Sequence, residues 1–355
     1  VKANSRPRLS GGRIAFHCTV GTAVAVALAL LIPLVGGGIS LREALSAWPW
    51  RTDGNWHAVV FWQTRIPRVL LALMAGGALA VAGLVFQAVL RNPLAEPYIL
   101  GISGGAALGK TLAVVIAVGG DARFFALMSL FCFAGALAPV ALLQAVAAAM
   151  RRFSSVTILL IGVMLNVFFS ALILLLQYFA DFTQVRQLFL WMMGGLDVVG
   201  YGWLLSMLPF LLICFAAVVA HSRAMNVLSV DVATAAHLGV DVKRTVTHLI
   251  WAGSLLTGIV VALSGPIGFV GLIVPHSLRL VFGSDNRLLA PLCLIYGGVF
   301  LLLCDFVGWR GMELLQMAGL PIAQATEIPV GVITAILGGP FFLYLLLSRR
   351  RMMRE

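Results

Sequence analysis

The chain is 355 residues long, 61% apolar and only 10% charged, with a net charge of +11. Soluble globular domains lie closer to half apolar and a quarter charged, so this composition excludes a soluble enzyme and describes a polytopic membrane protein. Apolar runs extend from Ile14 to Leu347 with no long polar block between them, which predicts one all-α membrane domain over residues 1–355 with a short cytoplasmic tail at 1–13.

A helix needs about 20 apolar residues to cross a bilayer. In chain order such runs fall at Ile14–Val35, Pro67–Leu90, Tyr98–Val118, Phe124–Met150 and Val156–Phe179. The second half adds Trp203–Ala220, Thr245–Leu263, Ile267–Phe282, Leu288–Val307 and Ile328–Leu347, predicting ten spans. Basic residues precede the first run, as in a signal peptide. It nevertheless exceeds the usual core of roughly 7–15 residues and shows no clear small-x-small cleavage site, so it is expected to be retained.

Lys and Arg are retained on the cytoplasmic side of a membrane. With the N-terminus inside, Arg42, Arg51, Arg65, Arg68, Lys110, Arg123, Arg186 and Arg310 fall on outer segments, and the other 16 of the 24 basic residues on inner ones. This predicts a multi-pass protein of the bacterial inner membrane with both termini cytoplasmic. The excess positive charge then serves topology and anionic membrane lipid, and no nucleic-acid partner is expected.

Arg65, Ile66, Pro67 and Arg68 place two guanidinium forks at the outer mouth of the second span. They read either as an interfacial anchor or as a platform for a partner's carboxylates, which arginine engages with a rigid fork of donors. Arg310, on the outer connector expected from Gly308 to Thr326, is placed to join them. Within the second and third spans Ala72, Gly76 and Ala80, and then Gly101, Gly105 and Gly109, recur every four residues, putting each set on one face for close helix approach. Between them Arg91–Pro97 (RNPLAEP) reads as a tight inner turn.

Gly104, Gly109, Lys110 and Thr111 satisfy the phosphate-loop pattern GxxxxGK(S/T). That loop functions between a strand and a helix, facing aqueous phosphates, and here it falls inside a membrane span, so nucleotide binding is not expected. Lys110 then either snorkels to the outer interface or lines a wet path and meets cargo. On the inner side, His221–Arg244 is the longest polar segment. Asp231–Leu238 within it, including Ala235 and His237, forms about two helical turns ended by Gly239, and serves either as a docking helix or as a solvated connector.

Gly265–Pro275 (GPIGFVGLIVP) sets two prolines and three glycines in an apolar segment. Such broken backbone is tolerated in a bilayer only where other helices or a water-filled path satisfy the freed groups, so Gly268 and Pro275 mark a transport path. Cys18, Cys132, Cys214, Cys293 and Cys304 show neither metal nor redox spacing, the six histidines form no ligand pair, and no catalytic set stands out. The chain is therefore not expected to be an enzyme or to hold a cofactor. An ion-gradient-driven secondary transporter is the rival reading, and it requires midplane carboxylates; Asp305 and Glu327 fall near outer span ends.

Five ordered blocks resemble the permease subunits of ATP-binding cassette importers for iron siderophores, haem and cobalamin. They are RIPR (Arg65–Arg68), RNPLAEPYILGISGGAALG (Arg91–Gly109), RQLFLWMMGGL (Arg186–Leu196), GPIGFVGLIVPHSLRL (Gly265–Leu280) and EIPVGVITAILGGPFFLYLL (Glu327–Leu346). The resemblance implies a ten-helix type II importer permease that pairs with a second permease copy around a central cargo path. It further implies a cytoplasmic ATPase dimer received by the coupling helix at Asp231–Gly239, and a periplasmic or lipid-anchored binding protein received by Arg65, Arg68 and Arg310. Ser154 and Ser155 match the inner gate. Lys110 departs from the family pattern, where a small or apolar residue is expected.

Overall fold

The computed structural model describes residues 11–35, 56–116, 122–149, 155–197, 200–317 and 327–352. The tail before residue 11, Ser154, and the basic residues Arg42, Arg51, Arg151 and Arg152 lie outside these segments. The described residues form an all-α bundle: α1 Gly11–Leu31, α2 Trp56–Val89, α3 Ile102–Ile116, α4 Ala122–Ala149, α5 Ser155–Phe179 and α6 Phe182–Met192. It continues with α7 Gly202–Leu228, α8 Val232–His237, α9 Val242–Ser264, α10 Val270–Phe282, α11 Asn286–Met317 and α12 Val330–Met352. Eight of these helices are long and apolar enough to cross a membrane. In the places of the predicted third and eighth spans, α3 and α10 are apolar but only 15 and 13 residues long.

α2 occupies the centre, packed against α11, α9, α10 and α7. Of its most apolar window 83% is buried within the protomer, against 22% for α5 at the periphery. A helix that is apolar all round can face lipid or protein, and the small residues of α2 permit its enclosure by other helices. A Cβ at Gly76 would lie 2.2 Å from the carbonyl oxygen of Gly297 on α11. In the second stripe Gly105 and Gly109 work the same way between α3 and α4, where a Cβ at Gly105 would lie 2.2 Å from the carbonyl oxygen of Gly135, whereas Gly101 precedes α3 with φ +86° and serves a turn, not a helical face.

Three boundaries differ from the expectations. α2 begins at Trp56, not at Pro67, because Phe61–Arg65 form a π-turn just before the proline. The wider turn accommodates a ring that clashes with, and an absent N–H that cannot bond to, the preceding turn. α11 runs through Gly308 and Arg310 to Met317, so the expected outer connector is helical in its first half and Arg310 sits on a helix. Gly308 does not end that helix; a Cβ there would lie 2.5 Å from the Ile328 carbonyl oxygen, so it serves close approach. Between the fifth and sixth spans lies a short helix, α6, that the span search did not include. Its signal is a capping box: Asp181 accepts from the Gln184 N–H at 2.8 Å, and the Gln184 side chain accepts from the Asp181 N–H at 3.1 Å.

Candidate functional site: a junction of broken helices

At about 1.5 Å per residue, α3 and α10 reach only about 20–22 Å, short of the roughly 30 Å hydrocarbon core. Their connectors meet each other. Pro266 removes one amide from the Gly265–Phe269 connector, and two of the remaining amides find partners on the Leu90–Gly101 connector. The Ile267 N–H donates to the Tyr98 hydroxyl at 2.6 Å, and the Phe269 N–H donates to the Glu96 carboxylate. Beside them the Gln87 amide donates to the Gly271 carbonyl at 3.0 Å. The Asn166 amide of α5 donates to the Tyr98 carbonyl at 3.1 Å. The predicted topology puts these two connectors on opposite sides of the membrane. Direct bonds between them require broken backbone to enter the membrane interior, where each freed group must be satisfied by protein.

Phe269 carries the cost of this arrangement. As the residue preceding α10 it has φ +67°, a left-handed conformation that costs a bulky residue on the order of 1–3 kcal/mol. Besides its bond to Glu96, its ring occupies the space where Gly338 of α12 lacks a Cβ. From the opposite side the Gly195 N–H donates to the Ser264 carbonyl at 2.8 Å, and the Gly331 N–H to the Gly194 carbonyl at 3.2 Å. These three chain segments frame an open, mainly apolar groove of about 530 Å³ lined by Met192, Met193, Pro266, Gly268, Gly331 and Ile336. Gly268 lies on the groove, whereas Pro275 is buried inside α10 and does not line it.

Lys110 lies in α3, in the middle of the phosphate-loop pattern, and that pattern is continuous helix. Thr111 spends its hydroxyl on the Ala107 carbonyl at 2.8 Å. The Lys110 ammonium stands 4.8 Å from the ring centroid of Trp191 at the end of α6.

In the N-terminal part of α2 the two arginines have different surroundings. Arg68 is bidentate to Asp305 of α11, with both contacts at 2.8 Å, and also bonds Glu327 ahead of α12. Arg65 instead donates to the Pro33 carbonyl at 2.8 Å and stacks 5.1 Å over Trp309. Arg65, Arg68, Asp305, Trp309 and Glu327 share one cavity of about 200 Å³, and Arg310 follows Trp309 on α11. Sequence reading placed Asp305, Glu327 and Arg68 on the same outer surface without pairing them; their opposite charge was the available signal.

On the other end of the bundle Asp231 caps α8, accepting from the Thr234 N–H at 2.8 Å and the Thr234 hydroxyl at 2.9 Å. These bonds to the ionised form hold its carboxyl below the usual range. Gly239 closes the helix with φ +82°, and the Val240 N–H returns to the Ala235 carbonyl at 3.0 Å. Ala235 is fully buried, whereas His237, Leu238 and Gly239 are exposed, Leu238 by 67%. The segment is a capped helix seated by one alanine with an apolar outer edge. Ser155 is the first residue of α5.

Residues 21–348 match the FecCD transport family. The vitamin B12 import system permease protein BtuC of Escherichia coli O9:H4 (strain HS) is 39% identical over 336 residues, covering 92% of this chain and 94% of that protein. The protein of the same name from Shigella boydii serotype 18 (strain CDC 3083-94 / BS512) gives the same identity and coverage. A solved structure described as an inward-facing conformation of a metal-chelate type ABC transporter superposes with a TM-score of 0.79 at 29% identity, covering 94% of this chain and 99% of that one.

Proposed function

This chain belongs to the FecCD transport family, and from that premise we propose that it is the membrane subunit of a binding-protein-dependent importer for a large metal chelate or a corrinoid. One observation carries the reading: near full-length kinship to vitamin B12 permeases at 39% identity. The wide, mainly apolar groove beside Gly268 supports it, since bulky cargo with little net charge needs area rather than a few charged ligands.

In this reading two permease copies face each other across the groove, in the bacterial inner membrane with both termini cytoplasmic. The α8 segment Asp231–Gly239 receives the ATPase dimer, and cargo moves inward by alternating access past a gate at Ser154 and Ser155. ATP hydrolysis belongs to the partner. The binding protein docks by its carboxylates on the outer rim at Arg65, Arg68 and Arg310. Arg68 brings to that rim two N–H groups not engaged by Asp305 or Glu327, on a guanidinium whose charge those carboxylates already offset. The test is uptake of cobalamin and of ferric chelates into liposomes holding the permease with its ATPase and binding protein. ATP-dependent uptake of one of them is expected. Uptake driven by a proton or sodium gradient without the ATPase overturns the reading.

A further inference from the structure

A cavity of about 220 Å³ lies between α3, α4, the end of α6, the start of α7 and the end of α9, with Lys110, Met128, Ser129, Trp191, Asp197 and Trp203 on its walls. Its one cation and one anion are not paired with each other. Asp197, the acid on these walls, stands 3.8 Å from Arg68 with its side chain 86% exposed. Among the described residues no carboxylate lies within ion-pair distance of Lys110, whose recorded contact is the Trp191 ring. Stacking on an indole face offsets only part of the cost of desolvating an ammonium. The Trp191 indole N–H is buried as well and has no acceptor. Buried donors left without acceptors are uncommon, and here an uncompensated cation and an orphan N–H belong to side chains of one pocket with aromatic walls.

We propose that this pocket binds an anionic oxygen group, a phosphate or carboxylate, with Lys110 as its counter-ion. The volume suits a lipid headgroup or one acidic substituent, not a whole chelate or corrinoid. An outer-leaflet phospholipid and an acidic group on a solute share that chemistry. The proposal is independent of the importer reading, because it is tested on the permease alone.

The test is thermal unfolding of the purified full chain in uncharged detergent, for wild type, Lys110→Met and Lys110→Arg. One arm titrates inorganic phosphate against chloride at equal ionic strength. The other titrates dihexanoyl-phosphatidylglycerol below its micelle concentration. The wild-type midpoint is expected to rise with at least one probe, to keep rising in Lys110→Arg, and to need roughly tenfold more probe in Lys110→Met, which retains the aliphatic stem and loses the charge. A response to phosphate assigns the site to soluble anions, and a response to the lipid alone assigns it to headgroups. No rise in wild type beyond the chloride control, or an equal rise in Lys110→Met, overturns the proposal.

Discussion

The carboxylate of Glu96, in the connector after α2, accepts the backbone N–H of Phe269, 173 residues further along the chain at the start of α10. This bond and the Tyr98 bond to Ile267 tie together two short half-helices that could not individually cross the bilayer. Glu96→Ala leaves the Phe269 amide without a partner and removes one restraint on its left-handed backbone. An unsatisfied buried amide costs about 1–3 kcal/mol, so the variant should unfold at a clearly lower temperature in detergent. Glu96→Gln keeps an acceptor and should fall between the two. Equal midpoints for all three would show that the bond does not hold the junction.

Close approach at α2 makes a second prediction. A Cβ at Gly83 would lie 2.0 Å from the Gly271 carbonyl oxygen, whereas one at Gly202, at the start of α7, meets nothing within 4 Å. The same substitution should therefore have opposite consequences. Gly83→Ala forces α2 from α10 and should cost on the order of 1–3 kcal/mol, visible as loss of monodisperse protein in size-exclusion chromatography. Gly202→Ala should be neutral or mildly stabilising.

The same contrast explains what the sequence made legible. The fold class, the position of the capped helix α8 and the close-packing role of the glycine stripes were readable, because composition, a capping acid and a four-residue repeat are local signals. The partners of the GPIGF break were not readable. Glu96 looks like a turn residue and Tyr98 like the start of the third span until the fold brings them against a connector that lies far away in sequence. Arg310 was expected on a connector for a different reason: the apolar run ends at Val307, and only the neighbouring Ile328 carbonyl reveals Gly308 as a contact glycine inside a continuing helix.

Arg68 and Asp305 should behave as one unit. Arg68 is 18% exposed and Asp305 9%, so removing either partner strands a largely buried charge. Arg68→Ala and Asp305→Ala should each destabilise by about 3 kcal/mol or more. The double variant should lose less than the sum of the two, by at least about 1 kcal/mol. Arg65→Glu gives up the bond to Pro33 and the stack on Trp309 and sets a third carboxylate in the cavity of Asp305 and Glu327, so it should lower the unfolding midpoint as well as weaken association with the binding protein and its salt dependence. Additive losses in the double variant would dissolve the pair as an energetic unit.

At the entry to α11, Asp285 offers a pH test outside the spans. Hydrogen bonds from the Arg287 side chain, foremost, and from the Asn226 amide at 2.8 Å hold its carboxyl near a pKa of about 2, below the ordinary value of 3.8. A depressed value means that the stabilisation is fully present above about pH 4 and is lost as the pH falls toward 2. Because Arg287 is 46% exposed although Asp285 is only 18% exposed, solvent screening holds the pair's worth to about 1 kcal/mol. Asp285→Asn should therefore lower the midpoint slightly and by the same amount at pH 5 and pH 8. A difference that grows between pH 5 and pH 8 would assign the titration to another group.

The apolar edge of α8 separates a docking helix from a solvated connector. Leu238 is 67% exposed and Val230 78% exposed, on either side of a helix only six residues long. A connector has no need of apolar groups in water, whereas a contact surface gains from covering them. Leu238→Arg leaves the Asp231 cap, the Ala235 seat and the Gly239 turn intact, so the purified permease should retain its unfolding midpoint. If α8 couples the ATPase, the same variant should lose ATPase in co-purification and show hydrolysis that no longer responds to the binding protein. Full co-purification with normal coupled uptake would return α8 to the role of a connector and move the docking surface elsewhere on the inner face.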